Sequence, residues 1–311
     1  MQILFDIVLP VFGTLFIAFF SARAGIVPPK VAEGLAGFVF TFAVPSLLFD
    51  NIVRHPLPDP IEWNYLISFF GAAYLVWLIA MAVSRFLFRR DFAHASMAGM
   101  SAAFGNTMLG LPLVLNTFGE TGVLPIFLII AFHSWQFFGL ATILLESSRR
   151  QKGAISALPL TIAKSLATNP IIIGLLAGLL CNLGSVPVPK PVTDITGFLG
   201  QAAMPSAVFV MGASLAKFRM AGAIREAVAA CVLKLLLFPA LTYVIATHVF
   251  DMQPLWRDVA VVIAALPVGI NVFLFADRYE AGAPVAATAM LLSTFLSFGT
   301  IAAVLYLLGV R

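Results

Sequence analysis

Charged side chains are scarce in this sequence: they make up 10% of its 311 residues, whereas hydrophobic residues make up 61%. A soluble domain carries about 25% charged residues, so this shortage excludes an ordinary soluble protein. Cysteine is also rare. Cys181 and Cys231 both lie in apolar stretches, which excludes a disulfide framework and favours small buried residues. The composition therefore predicts a polytopic membrane protein.

The groupings of residues that are typical of enzymes are also missing. The sequence has no nucleophile next to a base, no His/Cys metal cluster and no glycine-rich phosphate loop followed by lysine. The net charge of +4 does not indicate nucleic-acid binding, because the basic residues fall in short loops between apolar runs. We therefore expect a protein that is not an enzyme, with no cofactor, no metal and no nucleic-acid partner. The lipid bilayer is expected to surround this protein.

Apolar runs long enough to cross a bilayer fill the chain. A helix needs about 20 apolar residues to span the hydrocarbon, and this rule predicts an all-α protein with ten transmembrane helices. The predicted spans are 3–22, 33–52, 63–88, 93–116, 123–146, 163–183, 193–216, 224–250, 258–276 and 284–308.

The distribution of lysine and arginine predicts the orientation. If the loop after the first span is cytoplasmic and the spans alternate, thirteen basic residues lie on the cytoplasmic side and four on the other. Positive charge accumulates on the cytoplasmic side of membrane proteins, so both termini are expected outside. The thirteen are Arg23, Lys30, Arg85, Arg89, Arg90, Arg149, Arg150, Lys152, Lys164, Lys217, Arg219, Arg225 and Arg278.

The two halves of the chain repeat one another. When the sequence is shifted by 160 residues, Pro45 and Ser46 fall on Pro205 and Ser206, and residues 138–139 fall on 298–299. We therefore predict a five-helix repeat over 1–146, a cytoplasmic connecting loop over 147–162 and a second repeat over 163–311. Because each repeat holds an odd number of spans, the second enters the membrane from the opposite face. Such inverted repeats are typical of secondary transporters.

Two of the predicted spans, at 93–116 and 258–276, contain residues that interrupt helices. Glycine and proline favour a break in the helix, and backbone groups freed by a break must be satisfied by protein or cavity water. Interrupted spans in corresponding halves point to a transporter's binding site. The candidate residues are Gly105, Asn106, Thr107, Gly110 and Pro112 in the first stretch, and Pro267, Gly269 and Asn271 in the second.

The residues 105–112 (GNTMLGLP) and 265–279 (ALPVGINVFLFADRY) resemble the auxin efflux carrier family, which includes bacterial malonate and malate permeases and the plant auxin exporters. Residues 43–49 and 233–239 resemble its second and eighth helices. The resemblance covers all ten spans. It implies two inverted five-helix repeats, broken helices four and nine that cross near mid-membrane, and an elevator-like motion of a transport subdomain against a scaffold.

The resemblance also implies a substrate class and a location. Family members carry organic anions, and Asn106 matches the crossover asparagine of helix four. Val272 stands where the plant members have proline, and this departure argues against indole-acetate as the substrate. The long cytoplasmic loop of the larger plant exporters is absent, as in a bacterial permease. We expect a multi-pass protein of the bacterial inner membrane with periplasmic termini.

Polar side chains at the interruptions are the candidate substrate ligands. The amides of Asn106 and Asn271, together with half-helix N-termini, could bind a carboxylate. Alternatively, each amide repairs hydrogen bonds lost at its own break. Ser46 and Ser206 follow repeat-related prolines, and their hydroxyls either line the cavity or bond to the local backbone.

Three ionisable residues are candidates for coupling or for a structural charge. Lys234 lies mid-span, where a charge costs at least ~2.5–3.5 kcal/mol. It either ties the scaffold to the crossover through a carboxylate or helix-end carbonyls, or acts as a substrate counter-ion or proton carrier. His133 is either a neutral histidine bonded between helices or part of the transport chemistry. Asp50 is either at a solvated helix end or a ligand for a coupling ion.

The sequence therefore predicts a secondary carrier of small organic anions, such as malonate or malate. One alternative is a channel or signalling protein on the same fold. Another is a sodium-coupled carrier of larger organic acids, although no cluster of acidic or amide residues for two cations is visible. A homodimer is left open.

Overall fold

The structure is a computed structural model that describes residues 8–54, 63–149, 167–168, 170–218 and 223–310. These residues form helices, and the described part of the chain contains no strand longer than one isolated bridge. The described helices are α1 (Leu9–Arg23), α2 (Pro29–Phe38), α3 (Val44–Arg54), α4 (Trp63–Ala82), α5 (Phe92–Ala103), α6 (Thr107–Phe118), α7 (Val123–Arg149), α8 (Pro170–Leu183), α9 (Lys190–Gln201), α10 (Ala203–Leu215), α11 (Ile224–Val232), α12 (Phe238–Val244), α13 (Pro254–Ala264), α14 (Ile270–Arg278) and α15 (Ala283–Leu307).

Several of these helices continue into one another without a loop. π-helical turns join α2 to α3 (Val39–Ala43) and α11 to α12 (Leu233–Leu237), and similar turns extend α4 and α12. A short 3₁₀ turn (Gly119–Gly122) joins α6 to α7. A π-helical turn inside a helix often marks a functional position, and the turn between α11 and α12 contains Lys234.

The prediction of a polytopic all-α membrane protein is confirmed at the level of helix length and composition. Within the described residues, six segments are long and apolar enough to cross a membrane: Pro29–Arg54, Trp63–Leu87, Thr107–Leu145, Lys190–Leu215, Ile224–Val249 and Ala283–Leu307. Leu9–Arg23 and Pro170–Leu183 are shorter apolar helices. Helix α7 continues to Arg149, three residues into the predicted connecting loop. The rest of that loop, 150–162, lies outside the described residues.

The helices pack in two groups. In the first group α1 packs against α10, and α3 packs against α8 and α9. In the second group α4 packs against α5 and α12, and α11 packs against α15. The same group contains α13, which packs against α12 and α6, and α7, which packs against α5 and α6. The most extensive backbone contact between the groups is made by α6, which lies against α10.

Glycine permits the closest helix contacts in the first group. A Cβ on Gly212 of α10 would collide with the carbonyl oxygen of Leu15 in α1. A Cβ on Gly174 of α8 would lie 2.6 Å from the carbonyl oxygen of Pro45 in α3. Small residues let membrane helices approach closely, and that approach is a main source of their association.

We expect Gly212→Ala to destabilise the protein, because the added methyl group meets backbone that cannot move aside. Overpacking of this kind costs about 1–3 kcal/mol, which the thermal unfolding midpoint in detergent would report. Gly13→Ala in α1 is the matched control, since no atom lies within 4 Å of the added carbon. An equal midpoint for the two variants would contradict the close packing of α1 and α10.

Candidate functional site

Two helices are interrupted at the positions that the sequence predicts. Helix α5 ends at Ala103 and α6 begins at Thr107, so Phe104, Gly105 and Asn106 lie between them. Helix α13 ends at Ala264 and α14 begins at Ile270, which leaves residues 265–269 between them. The second interruption is longer and contains Pro267, so the break there is complete although residue 272 is valine.

The two interruptions contact each other through their backbones. The Asn106 N–H donates to the carbonyl of Pro267 over 2.8 Å, and the Gly269 N–H donates to the carbonyl of Phe104 over 3.2 Å. Between these bonds, Gly105 and Val268 form an isolated antiparallel bridge. We call these two stretches, 104–106 and 265–269, the crossing. Each interruption thus satisfies part of the hydrogen bonding that the other has lost.

Pro112 lies outside both interruptions, and its assignment to the binding site stays a prediction. It is buried inside α6, which runs on to Phe118. The residue four positions earlier is Met108, in the first turn of α6. In a regular helix the N–H of residue 112 would donate to the Met108 carbonyl, but proline has no N–H. The lost hydrogen bond therefore lies in the first turn of α6. Pro267 lies in the second interruption, and its carbonyl accepts the bond from Asn106.

Side chains on two flanking helices accept hydrogen bonds from the remaining N–H groups of the crossing. His133 Nε2 on α7 accepts from the Gly105 N–H over 3.3 Å, and Ser293 Oγ on α15 accepts from the Val268 N–H over 2.9 Å. His133 and Ser293 are themselves 160 residues apart, so they fall on equivalent positions of the two predicted repeats. Because Nε2 accepts, the neutral imidazole carries its proton on Nδ1.

The His133 ring is held among aromatic residues. It is fully buried, and its centroid lies 4.3 Å from that of Phe104 and 4.9 Å from that of Phe137. The Nδ1 atom has no hydrogen-bond partner among the described residues. The structure therefore places His133 between helices as a support for the crossing.

Lys234 supports the crossing from the opposite direction. Its ammonium donates to the carbonyl of Ala264, the last residue of α13, over 2.8 Å. It also lies 4.5 Å from the ring centroid of Phe238, and the whole residue is buried. The C-terminus of a helix carries partial negative charge, so a cation there is stabilised. A helix-end carbonyl is one of the two partners that the sequence predicts.

Glycines in the crossing and at the start of α6 allow close contacts. A Cβ on Gly269 would lie 2.7 Å from the Phe104 ring, and a Cβ on Gly110 would lie 2.6 Å from Leu266 Cδ1. A Cβ on Gly105 would reach 3.4 Å from Lys234 Nζ. The glycines predicted from the sequence therefore allow the segments to approach one another.

The two candidate asparagines lie in different environments. Asn106 precedes α6, is 4% exposed, and its side chain does not cap the helix that follows. The role of this amide as a substrate ligand stays a prediction, as does the alternative that it repairs hydrogen bonds at its own break. Asn271, in the first turn of α14, is exposed, and Thr107 is half-buried. Among the described residues, no hydrogen bond joins the two amides.

The remaining candidates belong to the first group of helices, away from the crossing. Ser46 on α3 and Ser206 on α10 are both half-buried. Asp50 forms an ion pair of 2.8 Å with Arg54 on its own helix, and accepts a hydrogen bond from Thr196 on α9. These contacts link α3 to α9.

Ser293 is a site residue that the sequence predictions missed. A serine in an apolar helix carries little signal by itself. The available signal is its position 160 residues after His133, since side chains that are equivalent in the two repeats meet equivalent parts of the crossing.

We expect Ser293→Ala to leave the buried Val268 N–H without an acceptor, which costs about 1–3 kcal/mol. The thermal unfolding midpoint should fall accordingly. Ser297→Ala is the control, because the Ser297 hydroxyl donates only to Thr294 of its own helix. If both variants unfold at the wild-type temperature, Ser293 does not support the crossing.

Comparison with known proteins agrees with this description. The sequence profile of a family described as "Membrane transport protein" matches residues 3–305. A Rhizobium meliloti protein named "Putative malonate transporter" is 31% identical over 303 residues, which cover 97% of this chain and 95% of that protein. An uncharacterised transporter of Methanocaldococcus jannaschii is 24% identical, with 96% of each chain covered.

A mouse protein named "Lysosomal cholesterol signaling protein" is 24% identical over 94% of this chain but only 36% of its own length. The names of the profile and of two relatives indicate a transporter and not an enzyme. The profile covers nearly the whole chain, including both interruptions of the crossing. The chain therefore belongs to the membrane transport protein family, the auxin efflux carrier family that its broken-helix motifs resemble.

Proposed function

We propose that this membrane transporter is a secondary carrier of small organic anions, mono- or dicarboxylates such as malonate or malate. The observation that carries the proposal is the crossing, where α6 and α14 both begin. The first N–H groups of a helix have no partner within it, and its N-terminus carries partial positive charge. Two such ends at one place, beside the buried Asn106, form a suitable site for a carboxylate.

The helix contacts support two inverted five-helix repeats with ten spans. If the repeats cover 1–146 and 163–311, α1 corresponds to α8 and α3 corresponds to α10. The pairs α1–α10 and α3–α8 are then the same contact made twice, and both are among the closest pairs in the structure. The acceptors His133 and Ser293 are also related by the 160-residue shift, and each accepts from a backbone N–H of the crossing.

The distribution of polar contacts supports an elevator-like motion of one helix group against the other. Interhelical hydrogen bonds join helices of the same group, as in Asn182 to Ile52, Tyr65 to Pro125 and Ser84 to Glu226. Between the groups, α1 contacts α15 through phenylalanine rings, with Phe12 against Phe298 and Phe16 against Phe295. Because such apolar contacts are not directional, these rings can slide past one another without losing directional bonds.

The substrate proposal rests on chemistry and on one relative. Backbone N–H groups and an asparagine amide recognise a carboxylate without selecting its carbon chain. Malonate is suggested by the name of the Rhizobium protein. We place the carrier in a bacterial inner membrane with both termini periplasmic, as the basic residues favour, and a homodimer remains compatible with this arrangement.

A second candidate is a signalling protein that uses the fold without transport. The similarity to the mouse lysosomal protein favours it, because that relative is named for signalling. A channel on the same fold is a further alternative. Counterflow separates a carrier from both, since only a carrier exchanges labelled for unlabelled substrate.

We expect proteoliposomes loaded with unlabelled malonate to accumulate labelled malonate transiently. Asn106→Ala should reduce this exchange about tenfold or more, because a hydrogen bond to a charged group contributes about 1.5–3 kcal/mol. Asn64→Ala, at an exposed position in the first turn of α4, should exchange like the wild type. Wild-type counterflow in Asn106→Ala for malonate and malate alike would refute the site.

A further inference from the structure

Lys234 is the charged residue whose environment the proposed function does not yet explain. Three charged residues of the described chain are buried: Lys234, Glu226 and Asp258. Glu226 has Arg90 and Asp258 has Arg257 as a partner of opposite charge. Lys234 forms no ion pair with any described residue. Its partners are the Ala264 carbonyl and the face of the Phe238 ring.

The fold itself does not require a cation at this position. The repeat-equivalent residue of Lys234 is Tyr74, whose hydroxyl donates to Gln136 on α7. The first repeat therefore forms its interruption without a charged side chain. Since a charge at this depth is costly, its presence in one repeat alone indicates a role beyond supporting the break.

The position of the ammonium indicates that role. In carriers with broken helices, unwound carbonyls and the C-terminal ends of half-helices are where coupling cations bind. Ala264 is the C-terminal end of the half-helix α13, and Lys234 Nζ is bound to its carbonyl. Gly105 of the other interruption lies close to the same ammonium, because a Cβ there would lie 3.4 Å from it.

We propose that Lys234 is a tethered cation: its ammonium takes the place that a sodium ion would occupy at the crossing. This inference rests on the proposed function, because it describes how that carrier is coupled to cations. The carrier then needs no alkali cation to bind or exchange its substrate.

The test measures the thermal unfolding midpoint of the purified full-length protein without substrate, in sodium, methylammonium or choline chloride at equal ionic strength. The wild-type midpoint should be the same in all three. Lys234→Ala removes the ammonium and leaves room for a small cation. Its midpoint should be lower in choline and should rise by about 2–4 °C in sodium or methylammonium, as expected for binding to the folded form.

Lys234→Gln separates a tethered charge from a simple helix cap. Glutamine retains an N–H donor for Ala264 but carries no charge. A tethered cation predicts that this variant also gains stability from sodium, whereas a simple cap predicts wild-type behaviour. The proposal is overturned if sodium stabilises the wild type, or if neither variant responds to a cation.

The test also covers variants that fail to fold. If Lys234→Ala does not fold in any salt, Lys234→Gln and the wild type decide between the same outcomes. If Lys234→Gln also fails to fold, then sodium or methylammonium present throughout purification must restore it, and failure to do so counts against the proposal. Because no substrate is present, these results stand even if malonate is not transported, so the two proposals fail separately.

Discussion

A backbone group inside a bilayer must find a hydrogen-bond partner in the protein, and this constraint explains the centre of the structure. Both interrupted helices expose N–H and C=O groups where water is scarce. The two interruptions pair with each other through Asn106 and Pro267 and through Gly269 and Phe104. His133, Ser293 and Lys234 each satisfy a further group. The irregular backbone is therefore stable only because the two halves meet there.

This arrangement connects the fold to transport. The same interruption that needs support also starts two helices at one place, and in the function that we propose these two N-termini bind the anion. The supports come from α7, α15 and the turn between α11 and α12, all in the second helix group. In the elevator-like motion that we propose, the crossing moves as a unit with that group, while α6 contacts α10 of the other.

The sequence predicted the interruptions and several of their partners because proline, glycine and buried charge have strong physical consequences in a membrane. It gave a helix-end carbonyl as one of the possible partners of Lys234, and a hydrogen bond between helices as one of two roles for His133. In the structure, Lys234 contacts the Ala264 carbonyl and His133 accepts from the Gly105 N–H. The sequence could not predict which proline ends a helix, since that depends on where the helix starts: Pro112 lies inside α6. Ser293 was missed because its signal, a position 160 residues after His133, has meaning only once His133 is known to support the break.

Hydrogen–deuterium exchange of the crossing tests the central claim most directly. The amides of Asn106, Val268 and Gly269 lie outside helices, yet each has a partner across or beside the crossing. Peptides that contain them should exchange as slowly as the flanking helices α5 and α13. Exchange as fast as in an exposed loop would show that the interruptions are not paired, and it would contradict this description of the site.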